Sequence, residues 1–354
     1  MQLSDFHFDL PKHLIAKYPL PQRSQSRLMV LKEQSIQHQH FVAMLDLVNE
    51  GDLIVFNNTK VIPARLFGKK VTGGKVEILV ERILDDQCFT AQVRSSKPTR
   101  LGDRLLFDQG VTFRILDKKE QFYTLKYEAR DKNIFSIIDA LGEIPLPPYM
   151  ERRPDENDLE RYQTVYAADK GSIAAPTAGL HFDEALLAKL RQKNIRLGML
   201  TLHIGAGTFL PVRVEDVTSH RMHAEYVMVS EELCEAIRDT KRKGKRVIAV
   251  GTTAMRALEA ASATGSIKPY HQDTTIFIYP GYEFQCVDAL ITNLHLPSST
   301  LLMLVCAFAG YDYVMQAYRE AVLQEYRFYS YGDAMWVNKA TLNSQALTPT
   351  KNSL

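Results

Sequence analysis

The 354-residue chain has only four cysteines, Cys88, Cys234, Cys286 and Cys306, far apart and with no CxxC pair. That scarcity excludes a disulfide scaffold and a zinc ribbon. Charge of one sign is also missing: 43 Lys and Arg stand against 41 Asp and Glu, a formal net charge of +2. Binding to nucleic acid through bulk charge is thereby excluded, although a local basic patch is not. The longest apolar run, Leu301 to Ala309, has nine residues, where a membrane span needs about 20. The opening MQLSDFHFDL has neither a basic n-region nor an apolar h-region. No secretory signal is therefore expected, and a cytoplasmic soluble protein is the default. Internal repeats and low-complexity tracts are lacking too. What is present is an ordinary globular mixture, 45% hydrophobic and 24% charged, enough chain for about two domains.

The texture changes along the chain. From Arg65 to Glu128 the segments RLFGKKV, KVEILVERI, CFTAQVRSS, DRLLFD, VTFRIL and FYTLKYE alternate with Gly and charged turns. Period-two patterning with a turn every ten or so residues predicts a small antiparallel barrel or sandwich. A bridging helix is expected from Asn133 to Leu141, then a Pro- and charge-rich boundary loop, IPLPPYMERRPDENDLERYQ. Beyond Val165 helices alternate with apolar strands. Asp183 caps DEALLAKLRQK ahead of IRLGMLTLHIG, and Ser230 caps SEELCEAIRDTKRKGK ahead of RVIAVGTT. A helix through Met255, Leu258 and Ala261 follows, then strands TTIFIYPG and VDALITN, the helix STLLMLVCAFAG, a helix from Tyr313 to Tyr326 and a strand near DAMWV. This pattern predicts a largely parallel, buried sheet. The expected fold class is an α/β main domain with an inserted small antiparallel β-barrel domain. The α/β domain is discontinuous, 1–64 and 150–345; the insertion covers 65–149, and 346–354 form a polar tail.

Ligands of open α/β sheets bind beyond the carboxyl ends of strands. Four segments qualify by position: Ser172 to Phe182, Gly205-Ala206-Gly207-Thr208, Gly251-Thr252-Thr253-Ala254-Met255-Arg256, and Asn293-Leu294-His295-Leu296-Pro297-Ser298-Ser299-Thr300. Their small, hydroxyl and His residues suit a polar pocket, with helix-start N–H groups near Thr252 and Ser299 for an anion. The GAG lacks a third Gly and precedes Pro211, so it is no dinucleotide fingerprint, and GTTAMR lacks the GK[ST] ending of a phosphate loop. His220, His223 and Glu225 form the densest ionisable cluster; without HExxH or a cysteine partner no metal is assigned, and an acid–base role for one His fits its ordinary pKa near 6.5. Basic residues gather at Lys60, Arg65, Lys69, Lys70 and Lys75, and again at Arg94, Lys97, Arg100 and Arg104, on or beside the β module, where contact with a phosphate backbone is expected.

Taken together, LPKHLIAKYPLPQRSQSRLMVL, GDLIVFNNTKVIPARL, SIAAPTAGLHF, TLHIGAGTFLPV, HRMHAEY, RVIAVGTTAMRALE, TTIFIYPGYEF, DALITNLHLPSSTLLMLVCAFAG and YRFYSYGDAMWV resemble the S-adenosylmethionine:tRNA ribosyltransferase-isomerases of queuosine biosynthesis, almost end to end. One departure is Asn57-Asn58-Thr59, where the family usually reads Asn-Asp-Thr; an acid role at position 58 is not available here, a hydrogen-bonding one is. The resemblance implies transfer and isomerisation of the ribosyl part of S-adenosylmethionine onto 7-aminomethyl-7-deazaguanine at the wobble position of tRNA, giving epoxyqueuosine, adenine and methionine. It implies no metal and no cofactor, S-adenosylmethionine being a consumed substrate. It implies as partner a tRNA with a GUN anticodon, no membrane, and a monomer. Under it, His181 or His223 is the general base or acid, with Glu225 orienting His223. Thr177, Gly179, His203, Gly205, Gly207, Thr208, Gly251, Thr252, Thr253 and Arg256 line the S-adenosylmethionine pocket. Asn293, His295, Ser299 and Thr300 bind sugar hydroxyls or the methionine head group. Arg327, Tyr331 and Asp333 close the pocket, Asp333 as a further catalytic group. The tRNA docks along Arg65, Lys69, Lys70, Arg94, Lys97 and Arg100. An S-adenosylmethionine-dependent tRNA methyltransferase is the rival enzyme, told apart by whether adenine is released, and a non-catalytic RNA-binding module is the rival of another class.

Overall fold

The computed structural model describes residues 1–32, 35–129, 131–209 and 212–340; the expected tail lies outside them. The chain begins with β1 (Arg27–Lys32), β2 (Ser35–His40), the one-turn helix α1 (Met44–Leu47), β3 (Leu53–Asn57) and β4 (Thr59–Val61). Next come β5 (Arg65–Lys70), β6 (Lys75–Ile83), β7 (Cys88–Ser95), β8 (Arg104–Leu106), β9 (Thr112–Lys119) and β10 (Phe122–Tyr127), which close into a barrel in the order β10-β7-β6-β5-β8-β9. All six expected strands are there, every pairing antiparallel. Inward Leu66, Val76, Ile78, Phe89, Phe113 and Leu125 fill the barrel. The expected bridging helix, α2 (Ile134–Leu141), is capped by Asn133 and adds Ile134, Ile137 and Ile138 to that core. The neck of the barrel is sewn shut by reciprocal backbone bonds between Arg65 and Glu143 (3.1 and 2.8 Å). Gly142 permits this closure, because a Cβ there would run into the Pro63 carbonyl.

The rest of the chain supplies α3 (Glu156–Arg161), β11 (Asp169–Ser172), α4 (Glu184–Gln192), β12 (Arg196–Leu202), β13 (Glu225–Val229), α5 (Glu231–Arg242), β14 (Val247–Val250), α6 (Thr252–Ala261), β15 (Tyr270–Thr274), β16 (Ala289–Asn293), α7 (Thr300–Ala309), α8 (Tyr311–Leu323) and β17 (Ala334–Asn338). Nine strands form one sheet, β15-β13-β12-β3-β14-β16-β17-β1-β2. The sheet is mixed rather than largely parallel: β12, β3, β14 and β16 run parallel at its centre, whereas β15, β13 and β12, β16 and β17, and β1 and β2 pair antiparallel. Helices cover both faces. In β3, Leu53 and Val55 join one core with α5 to α8, while Ile54 and Phe56 join the other with Leu186, Leu187 and Leu190 of α4. That strict alternation within a fully buried strand is what a two-sided sheet requires.

Two local expectations are corrected. The boundary segment is not all loop: Asp155 caps α3 through the N–H groups of Asn157 and Asp158, and Asp158 reaches back to the Asp155 N–H. The expected TTIFIYPG strand is not formed beyond its first residue: β15 lies ahead of it and ends at Thr274, and the Ile276 carbonyl accepts from Arg256 Nε (3.2 Å) rather than from a neighbouring strand.

Candidate active site

The four sequence-selected segments meet beyond the carboxyl ends of β12, β3, β14 and β16, and backbone bonds hold them together. Ile173 N–H donates to Ile204 O (3.0 Å) and Gly251 N–H to Ile291 O (2.8 Å). Asn57, at the end of β3, clasps Leu202 through both its carbonyl and amide groups (3.0 Å each) and approaches Thr253 Oγ1 (3.4 Å). The crevice crosses three strand spacings, ~14 Å. Its two ends carry different chemistry.

At the β16 end lies His181, buried and stacked on Phe41, with Nδ1 2.7 Å from the Ser26 hydroxyl. Burial pushes its pKa down to about 4; nearby Asn293 opposes that shift, while Arg327 and Arg23 add to it. At neutral pH His181 is therefore an uncharged imidazole, a base or hydrogen-bonding group rather than a cationic acid. His181 Nε2 and Asn293 Oδ1 have no partner of good hydrogen-bond geometry among the described residues, and the same holds for Tyr162 Oη, Thr164 Oγ1, Tyr166 Oη, Arg161 Nε and Arg327 Nη1. Buried polar atoms are rarely left unpaired, so their concentration at one end marks a ligand-facing wall. Tyr166 Oη packs directly on Gly179, filling the place of a Cβ. Arg23 belongs to this end as well; burial and its neighbour Arg161 lower its pKa.

At the β12 end the barrel touches the sheet domain. Glu81 of β6 accepts the Ala206 N–H, and Gly205 makes room, because a Cβ there would collide with Glu81 Oε1. Burial raises the Glu81 pKa to about 7, helped by Glu225 and opposed by the Ala206 N–H and Arg82. Arg82 makes a two-pronged ion pair with Asp273 of β15 (2.9 Å each). Glu225 is paired with Arg256, both about 95% buried (6% and 5% exposed), and Arg256 Nη2 has no further partner among the described residues. This corrects the expectation that Glu225 orients His223: the carboxylate is engaged by a guanidinium, while the His223 ring packs on Gly207. His203 Nδ1 lies 2.7 Å from the Thr59 hydroxyl, and burial lowers its pKa against the pull of Asp169. Asn58 donates to Asp169 Oδ2 (2.8 Å), and the Thr201 hydroxyl lies within 2.9 Å of both. An Asp at 58 would set two carboxylates side by side and force them to share a proton; Asn makes the hydrogen bond without one.

Several expected residues are committed elsewhere. Asp333 accepts the backbone N–H groups of Arg27 and Arg327 (2.8 Å each) and is 2% exposed, so it shapes the chain and is not free as an acid or base. Tyr331 donates to Asp158 (2.8 Å), itself held by Arg152. Arg327 Nη2 reaches the Tyr18 carbonyl. His295 is buried against Thr292 (2.9 Å), and burial drops its pKa to about 3. Ser299 caps α7 with its own hydroxyl. Thr300 opens that helix, beyond the Ser298 N–H bonded to Phe6 O. Thr177, Gly179, Gly205, Gly207, Gly251, Thr252 and Thr253 sit in the crevice segments, Thr208 on their exposed rim. Of the basic residues, Lys70, Lys97 and Arg100 line one open groove of about 770 Å³ together with Arg104 and Arg114. Lys69 and Arg94 are exposed outside it, and Arg65 is paired with Glu77 and faces the neck instead. Among the described residues no cluster of three or more His, Cys, Asp or Glu suits a metal, and no helix is long and apolar enough to cross a membrane.

Residues 3–337 match the family described as queuosine biosynthesis protein. An S-adenosylmethionine:tRNA ribosyltransferase-isomerase from Nitrosococcus oceani is 52% identical over 342 residues, 96% of this chain and 99% of that one. The crystal structure of an S-adenosylmethionine tRNA ribosyltransferase from Thermotoga maritima matches with a TM-score of 0.55 at 36% identity, over 94% of this chain and 99% of that one.

Proposed function

The chain belongs to the queuosine biosynthesis protein family, and from that membership we propose that it moves the ribosyl part of S-adenosylmethionine onto 7-aminomethyl-7-deazaguanine at the wobble position of tRNA. The sugar is isomerised to an epoxycyclopentane, and adenine and methionine leave. S-Adenosylmethionine is consumed rather than used as a methyl donor.

The observation that carries this reading is the polarity of the crevice. Arg23, Arg161 and Arg327 surround His181 at one end, and Glu81, Glu225 and Asp169 stand at the other with only part of their charge met by Arg256 and Arg82. A zwitterionic sulfonium substrate suits such a gradient: its carboxylate belongs at the arginine end, hydrogen-bonded by the unpaired Arg161 and Arg327 nitrogens and the Tyr162 and Tyr166 hydroxyls. Its sulfonium and the incoming RNA amine, both cationic, belong toward the carboxylates. The sulfonium acidifies the hydrogens on the neighbouring 5′ carbon, so a base can remove one and start loss of adenine. Glu81, its pKa raised to about 7, suits proton transfer near neutral pH, while His181, uncharged with its pKa pushed down to about 4, offers a hydrogen-bonding nitrogen and only a weak base.

The barrel, as the separately folding insertion over 65–149 within a domain of 1–64 and 150–345, carries the RNA. Lys70, Lys97 and Arg100 face one groove with Arg104 and Arg114, about 20 Å along β6 from Glu81, a span that lets backbone phosphates of the anticodon arm dock while the wobble base enters the crevice. The partner is a tRNA with a GUN anticodon, and the protein acts as a cytoplasmic monomer. The deciding experiment supplies S-adenosylmethionine and tRNA bearing the aminomethyl base, and assays the released bases. Free adenine in step with RNA modification is expected; S-adenosylhomocysteine without adenine would mean a methyltransferase, and an untouched donor a binding module.

A further inference from the structure

β6 and β7 pair regularly up to Val80 opposite Ala91 and resume at Arg82 opposite Thr90, leaving Glu81 as the extra residue of a β-bulge. A bulge re-aims the side chain it carries. Here it turns Glu81 out of the barrel and across the domain seam, onto the Gly205-Ala206 turn of the neighbouring domain. Arg82, the next residue, fastens the same seam to Asp273. Only one Glu81 oxygen is spent: Oε2 accepts the Ala206 N–H, and Oε1 makes no hydrogen bond among the described residues. Glu225, the other carboxylate close by, is neutralised by Arg256.

Resting on the function proposed above, we propose that Glu81 is a catalytic base of the reaction, delivered by the barrel to take the proton from the ammonium of the RNA aminomethyl group. The nitrogen–hydrogen bond breaks, its electron pair stays on nitrogen, and the proton forms the Glu81 Oε–H bond. The freed pair then attacks the opened sugar, and the proton passes to water when product leaves. The ionisable groups facing Glu81 are Glu225 of β13, Arg256 of α6 behind it, Arg82 of its own strand with Asp273 of β15, and His203 and His223 on the flanking segments. The two arginines favour the neutral amine beside them, and a carboxyl whose pKa is raised to about 7 is a stronger base than an ordinary one. The base rides on the barrel and the donor pocket lies in the other domain, so the reaction depends on the contacts that hold Glu81 at the seam.

Glu81→Gln keeps an acceptor for the Ala206 N–H but cannot take a proton. Its turnover, read as adenine release under saturating RNA, should fall about 10²–10⁴-fold at pH 7. It should then climb with pH toward the ordinary ammonium range near 10 in place of the wild-type plateau. Gly205→Ala, which pushes Glu81 off its seat, should give the same altered pH profile. Turnover within about threefold of wild type with an unaltered profile in both variants would overturn the assignment of Glu81 alone. Absence of adenine release from the wild-type enzyme would instead overturn the functional reading and the assignment with it.

Discussion

Glu81 holds its proton more tightly in the folded chain than in the unfolded one, its value standing near 7 against an ordinary 4.5. The folded protein therefore loses stability as pH climbs through that interval and gains none back above it. Glu81→Gln removes this titration, so the variant should be the more stable protein above pH 7, by up to roughly 3 kcal/mol, and no more stable than wild type below pH 4.5. Thermal unfolding at pH 4.5 and pH 8 checks it; a constant difference between variant and wild type would show that Glu81 does not titrate in that window. At this scale the sequence was partly readable. The polar segments around Gly179, Gly205, Gly251 and Asn293 declare themselves because polar, small residues directly after apolar strands have few other uses. Glu81 does not, since Glu77 and Glu81 look alike in an alternating strand. The available clue was the Glu81-Arg82 pair between Val80 and Ile83, a break in period two that a bulge explains. Tyr162 was hidden because a reading of its segment as loop assigns no burial to it.

Capping residues made two helices legible: Asp183 and Ser230 each accept the N–H that their position predicts, and Asn133 and Ser299 cap α2 and α7 in the same way. What sequence could not supply is pairing direction. Whether β16 meets β17 parallel or antiparallel depends on where α7 and α8 return the chain, a matter of packing between distant residues. At the neck, Gly142→Ala should destabilise the protein by about 3 kcal/mol, since the new methyl group meets the Pro63 backbone and not a side chain that can rotate away. Denaturant unfolding measures it. A loss under about 0.5 kcal/mol would show that the neck yields freely and that the Arg65–Glu143 bonds do not fix the barrel's base.

Across the whole molecule, the barrel's outer end stands out by its basic groove, set beside exposed Val71, Leu101 and Leu106. Replacing Lys70, Lys97 and Arg100 together by Ala should weaken all tRNAs about equally and flatten the plot of log affinity against log salt by roughly 2–3, near 0.9 for each phosphate no longer neutralised. Arg65→Ala should leave that slope unchanged and lower the melting temperature instead, because its guanidinium is paired with Glu77. Filter binding at several salt concentrations separates the two; equal effects on the slope would place the RNA at the neck. Sequence clustering grouped Arg65 with the lysines because it sees proximity along the chain and not the ion pair across a hairpin.

β3 is flanked by β12 and β14, neither of which exists when it is made. With synthesis running at about 5–20 residues per second, the stretch from Asn57 to Arg196 occupies roughly 7–28 seconds. The inserted barrel is fully emerged well within that wait, while the apolar LIVFN segment upstream has no neighbours to bond. The newborn protein therefore passes through a stage with a finished barrel and an unassembled sheet. Chaperone engagement in vivo should concentrate in that interval, on a hydrophobic strand left idle until its late partners arrive.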